Sequence, residues 1–256
     1  MATVPPLRSP LGVALLVAAV LVLASGTARA DEPPPPADQA RPDIMGTVSV
    51  RAPDLSAFPH WRTALDAFDA WLERATACLE AACDDLSLIE TVWLNRVEGL
   101  ALLPPEHMAR RAAQFLDDLL GVEATDDVAP PAGSWPTLRD ILVGGQRDAR
   151  ALALARYYTL RAAGLAPSAL RLAMARDTLT LDTLYVILIE TAAGPIAMTR
   201  YGVHPLTHGD EPAFVPLYAV DHAGRWLYFP DAVTPTTAPA GPMDRPSLLR
   251  REGLPE

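Results

Sequence analysis

Few side chains in this sequence could perform nucleophilic, acid–base or metal chemistry, and their spacing separates them. Cys78 and Cys83, spaced C-x4-C, are the chain's 2 thiols. In an oxidising compartment a short-range disulfide is the expected use. Positions i and i+5 diverge on an unbroken helix, so a bridge demands a turn, and Asp84-Asp85 is the candidate for it. The alternative, a relocated nucleophile at Cys78 or Cys83, would need a base, and no histidine stands near either in sequence. His204, His208, Asp210 and Glu211 gather two imidazoles and two carboxylates within eight residues. Pro205 and Gly209 make this stretch a loop rather than a helix that would align i and i+4. A weak metal site or relocated hydrolytic centre there stands against a solvated loop. His222 follows Asp221 at a hairpin turn, His60 and His107 lie at helix starts, and Ser134 has neither a glycine elbow nor a nearby base.

The segment from Trp135 to Arg161 carries a different signal. It reads Trp-Pro-Thr-Leu-Arg-Asp-Ile-Leu-Val-Gly-Gly-Gln-Arg-Asp-Ala-Arg-Ala and continues Leu-Ala-Leu-Ala-Arg-Tyr-Tyr-Thr-Leu-Arg. It resembles the bacterial transglutaminase-like cysteine proteinases, periplasmic relatives of the proteases that trim biofilm adhesins. Their signature runs roughly Trp-x-x-Pro-x-Glu-x-Leu-x-x-Gly-x-Gly-Asp-Cys-Glu-Asp-Tyr-Ala-x-Ala-Lys-Tyr-x-x-Leu-Arg. Without a gap, Trp135, Leu142, Gly145, Asp148, Ala153, Ala155, Tyr157, Leu160 and Arg161 match it, and the cysteine falls on Ala149.

Thiol catalysis needs a thiolate, a base to take its proton and a group to orient the base. The resemblance places the family's histidine on Leu184 and its aspartate near Thr199, so all three parts are replaced. A slip of one or two positions rescues nothing, because no cysteine or histidine lies between 135 and 203. The resemblance also implies a calcium site beside the nucleophile. Here Asp148 is followed by Arg150 and Ala151, and a cation among calcium ligands is self-defeating, so no metal and no cofactor is expected. Asp148 then reads as a helix N-cap. Trp135, Asp148, Arg150 and Tyr185 would line the former groove, where Arg147 and Arg150 offer positive charge.

Composition sets the surroundings of this segment. Leu11 to Ala24 is an apolar run of 14 residues after Arg8, followed by Ala28-Arg29-Ala30. That is the pattern of a secretory signal cleaved after Ala30, and the run is short of the roughly 20 residues a bilayer span needs. All 21 basic residues are arginine. Removing the leader, with Arg8 and Arg29, leaves 19 basic against 31 acidic residues and a net charge of −12. That charge excludes nucleic acid and anionic membrane as natural partners. A protein or peptide ligand remains, in the periplasm or outside the cell.

The elements that must position these residues follow from periodicity. Residues 31–47 form a proline-rich, extended spacer, and the folded domain spans about 48–234 before a loose, proline-bearing tail at 235–256. Apolar residues at Trp61, Leu65, Phe68, Leu72, Ala75 and Leu79 predict a helix. Others are predicted over 86–100 and from Pro104-Pro105 to Leu120, with an acidic, proline-rich loop over 121–133. A central helix at about 146–164 ends at Ala163-Gly164, with Pro167 as a stop. The period then changes to two, giving strands over 169–174, 183–191, 195–199, 214–220 and 226–229. Helices first and an antiparallel meander after them make an α+β fold, the order of the transglutaminase-like or papain-like core that the resemblance implies. The expectation is an exported homologue that lacks the triad and acts by binding or regulation, by analogy in adhesin processing. Its alternatives are the relocated hydrolase above and a structural exported domain.

Overall fold

Proline at the first turn opens two of the helices, where a missing amide is no loss, and hydroxyl caps open two others. These are α1 (Pro59–Ala81) and α3 (Pro105–Leu120), then α2 (Leu88–Leu100) and α4 (Leu138–Leu142), capped by Ser87 and Thr137. In a computed structural model, residues 41–43, 47–121, 135–206 and 214–230 are described. They all lie within one unit spanning Pro36–Glu256. The fifth helix, α5 (Ala149–Ala162), is the central one predicted above, and 10 of its 14 residues are buried.

Eight antiparallel strands complete the α+β fold: β1 (Arg41–Asp43), β2 (Thr47–Ala52), β3 (Leu170–Asp177), β4 (Thr183–Ile189), β5 (Ile196–Thr199), β6 (Gly202–Pro205), β7 (Phe214–Val220) and β8 (Arg225–Pro230). Their spatial order is β1-β2-β8-β7-β3-β4-β5-β6. The expected meander therefore holds only from β3 to β6. The chain then crosses back so that β7 pairs with β3, and β2 closes against β8. Three strands and one helix went unforeseen. Arg41–Asp43 lies inside the expected spacer and pairs with β2 at the sheet edge, where Pro42 is tolerated. Pro216 occupies an inner strand, at the point where the β3–β7 register shifts.

Strand alternation gives the sheet two faces. Leu172, Met174, Ile187, Met198, Tyr218 and Val220 face the helices and share their core, whereas Ala173, Ala175, Leu184, Val186 and Ala197 belong to a second cluster built from the other face. Buried polar groups tie α5 into this core. Trp93 Nε1 donates to Thr159 Oγ1 at 2.9 Å, and Arg156 donates to the Thr199 carbonyl at 3.0 Å and pairs with Asp117 at 2.9 Å. Glu90, buried, accepts from Ser87 N (2.9 Å), Ser87 Oγ (2.6 Å) and Trp71 Nε1 (3.3 Å) and lies 3.4 Å from Arg139. Burial pushes its carboxyl pKa up, but these donors and the arginine outweigh burial and hold it below the usual glutamate value.

Cys78 and Cys83 are joined, with Cα atoms 5.1 Å apart. The turn that permits this is at Ala82, the left-handed C-cap of α1 (φ 51°), rather than at Asp84-Asp85. Because neither sulfur is a thiol, the alternative of a nucleophile relocated to Cys78 or Cys83 is corrected: a disulfide sulfur cannot deprotonate and attack.

Candidate functional site

The approach to α5 is fixed residue by residue. The α4 cap is reciprocal: Thr137 Oγ1 accepts from Asp140 N, and Asp140 accepts from Thr137 N at 2.9 Å. A Cβ at Gly144 would stand 2.5 Å from the Asp140 carbonyl, and Gly145 takes φ 77°, so two glycines let the chain reverse tightly after α4. Arg147 donates back to the carbonyls of Ile141 and Gln146, and partial burial draws its pKa below the usual arginine value. Asp148 then caps α5, its Oδ1 accepting from Arg150 N and Ala151 N, each at 3.0 Å. A carboxylate here also meets the positive end of the helix dipole.

Ala149 is the first residue of α5 and is exposed. The next residue, Arg150, joins an aromatic cluster. Arg150 is only 1% exposed, and its guanidinium carbon lies 5.6 Å from the Trp135 ring centroid. Trp135 tilts against Trp61 at 5.3 Å, Trp61 meets Tyr157 edge-on at 5.1 Å, and Trp61 Nε1 donates to the Asp221 carbonyl at 2.8 Å. Arg150 is thus a buried member of that cluster rather than a side chain free in a groove. Burial pushes the hydroxyl pKa of Tyr157, and likewise of Tyr158, far above the usual tyrosine value.

Of the three positions aligned with catalytic residues, Ala149 opens α5, Leu184 packs on the sheet face opposite the helices, and the Thr199 carbonyl accepts from Arg156 of α5. After α5 the chain turns at Gly164 (φ 94°), and β3 then pairs antiparallel with β4. On β4, Leu184 points away from the helices into the strand-only cluster, while its neighbour Tyr185 packs against the helix-side core. A shift of one residue exchanges the faces, so the position that looks towards α5 is Tyr185. Thr199 ends β5 as a turn residue, its hydroxyl donating to Gly202 O (3.3 Å) and accepting from Tyr201 N (3.0 Å).

His204 lies on edge strand β6, paired with Ala197. His208, Asp210, Glu211 and Ser134 lie outside the described residues, as do the leader, most of the 121–133 loop and the 235–256 tail. Among the described residues no three histidine, cysteine or acidic side chains converge as metal ligands. His60, His107 and His222 are exposed. Sequence reading missed the joining of Trp61 to Trp135 and Tyr157. Tyr185, read from the sequence as a groove residue, does lie on the strand face that packs on the helix-side core, in alternation with Ile187 and Ile189.

Fold and site together define an α+β protein whose buried central helix presents an exposed alanine at its N-terminal end. No family model matches the chain, and no curated protein does. Among solved structures it is similar to Legionella pneumophila LapG. The similarity is 20% identity and TM-score 0.49 over 61% of this chain and 85% of that one. The EGTA-treated form gives 21% and 0.48 over 61% and 84%, and the calcium-bound form 19% and 0.48 over 70% and 98%. Among the described residues no helix is long and apolar enough to cross a membrane.

Proposed function

We propose that this chain is an exported, catalytically inactive homologue of the transglutaminase-like cysteine proteinases, and that it binds a protein or peptide ligand at the N-terminal end of α5. The observation that supports this reading is Ala149. It occupies the exposed first position of the capped helix, where the resemblance puts the family's nucleophile, and it offers only a methyl group. Tyr185, on the strand face towards that helix, and Trp135, at the mouth, offer flat apolar surface with hydroxyl and indole edges, which suits peptide recognition. The Cys78–Cys83 disulfide weighs against the alternative of a hydrolytic centre at either sulfur.

The test uses purified mature protein and a fluorescent peptide containing a dialanine, the linker type suggested by the adhesin-trimming relatives that the sequence resembles. Anisotropy reads binding and mass spectrometry reads cleavage. The expected result is saturable binding, weakened at least tenfold by Trp135→Ala, with the peptide intact. Cleavage by the natural protein would overturn inactivity, and absence of binding at millimolar protein would overturn the binding role.

A further inference from the structure

The turn between β7 and β8 is built on one carboxylate. Asp221 is only 3% exposed, and its Oδ1 accepts from Ala223 N at 2.7 Å and from Gly224 N at 2.6 Å. Asp221 N donates to the Gly224 carbonyl at 3.0 Å. A short side chain that accepts from amides just ahead of it holds such a turn in one conformation. The second oxygen, Oδ2, accepts from Trp226 Nε1 at 3.0 Å and lies 3.7 Å from Arg51 Nε on β2. A Cβ at Gly224 would stand 2.7 Å from the Ala52 carbonyl, so the turn is also seated closely against β2.

The backbone carbonyl of the same residue serves the helix layer. Trp61 Nε1 donates to it at 2.8 Å across a sequence separation of 160. Trp61 is fully buried, and its one polar atom needs a partner there. The position of that carbonyl therefore sets the direction of the indole. Trp61 in turn meets Trp135 at 5.3 Å with the planes 52° apart, and Tyr157 at 5.1 Å and 71°. Trp135 holds the Arg150 guanidinium carbon 5.6 Å from its ring centroid, one residue after Ala149. In a close-packed interior a rotation of Trp61 has no slack to absorb it and passes to the rings it touches.

Resting on the proposed binding role, we infer that Asp221 is a positioning residue for the ligand site. Its carboxylate fixes the turn, the turn fixes the carbonyl, and the carbonyl fixes Trp61 and, through it, Trp135. Substitutions separate these steps. Asparagine at 221 keeps an oxygen for the two turn amides and gives up the charge beside Arg51. Alanine gives up every side-chain bond and frees the turn. Trp61→Phe leaves the turn intact, keeps an aromatic ring and removes the donor to the carbonyl.

The experiment labels the mature protein with 5-fluorotryptophan, records its fluorine spectrum, and titrates each variant with the fluorescent dialanine peptide. The 5 tryptophans are separate reporters, and Trp135 is the line lost in Trp135→Phe. Asp221→Ala should move the lines of Trp61, Trp135 and Trp226 and leave that of Trp93, which Thr159 holds. It should also weaken peptide binding at least about fivefold, with Asp221→Asn recovering most of the loss and Trp61→Phe reproducing it. Because both act through one carbonyl, the double variant should lose about as much as either single one rather than the product. A purely structural turn would lower stability without selectively moving Trp135. An unmoved Trp135 line in Asp221→Ala overturns the inference whatever the peptide does, and so does a moved line with unchanged affinity. If Asp221→Ala does not fold, the same two readouts on Trp61→Phe decide. A moved Trp135 line in a protein whose natural form binds no peptide removes the binding role itself, and the positioning role falls with it.

Discussion

Restoring a thiol at position 149 tests which strand position belongs to the site. In Ala149→Cys the thiol stands at the first residue of a capped helix, where the dipole favours its anion by about 0.3–1 kcal/mol, roughly 0.2–0.7 of a pKa unit at 1.36 kcal/mol per unit. The Asp148 carboxylate, which closes the helix end through Arg150 N and Ala151 N, opposes that gain. The single variant should therefore titrate near an ordinary cysteine. Adding Tyr185→His puts an imidazole on the face that packs towards α5, and an imidazolium within reach lowers a thiol pKa by about 1–3 units. Adding Leu184→His instead places the imidazole among Val186, Ala175 and Ala197 on the opposite face. It cannot meet the thiolate there, and its burial should cost about 1–3 kcal/mol. The assay is the pH dependence of iodoacetamide alkylation, with Cys78 and Cys83 silent in their disulfide. The double variant with Tyr185→His should show an apparent thiol pKa at least about one unit below the other. The reverse order would refute the assignment of faces and return Leu184 to the site.

Three further outcomes follow from the packing. Glu90→Gln keeps the size but removes the charge that serves Ser87, Trp71 and Arg139, and should cost about 2 kcal/mol, or roughly 4–8 °C in melting temperature for a domain of this size. Because the folded pKa of Glu90 is depressed, its contribution is present above the unfolded glutamate value. It is lost as pH falls through the folded one, so the two melting temperatures should draw together as pH drops below the unfolded glutamate value of about 4.3. Asp148→Ala removes the α5 cap and should cost about 1 kcal/mol by denaturant unfolding, with Asp148→Asn recovering most of it. Replacing both Cys78 and Cys83 by serine opens a loop with a sequence separation of 5. Chain entropy assigns such a closure about 2 kcal/mol, and a calorimetric loss near zero would show that the α1 end holds its turn without the bridge.

The long elements were legible because each carries a period or a cap. The spacing from Trp61 to Leu79 marked α1, and Pro105 marked the start of α3. Asp148 could be read as a cap because a short acceptor before a helical run has few other uses. What escaped lacked a local signal. Strand β2 exists through pairing with the distant β8, a contact that no window of sequence contains, and β1 and β6 are three- and four-residue edge strands, too short to carry a period of their own. Leu184 and Tyr185 are neighbours in sequence but stand on opposite faces of β4, a difference that an alignment of letters does not display. Arg150 read as surface charge because arginine is seldom fully buried. Its 1% exposure depends on Trp135 arriving from outside the helix.

Folding and binding demand different things of these residues, and the difference identifies those that need a functional explanation. Tyr158 stacks on Phe68 at 4.5 Å, Thr159 receives Trp93, and Arg156 joins α3 to β5, so α5 is held by its buried side chains whatever stands at 149. An exposed first helical residue contributes almost nothing to that packing, and exchanging a thiol for a methyl there leaves the fold intact. Asp148 and Arg150 are likewise accounted for by capping and by the Trp135 contact. Val50 and Leu227 are not. Both are substantially open, and polar residues with good strand propensity, such as threonine, would serve β2 and β8 equally well. Replacing both by threonine should therefore leave the melting temperature within about 4 °C, since substitutions at open sites shift stability by about 0.5 kcal/mol or less each. A fall of about 10 °C or more would instead assign the two side chains to folding.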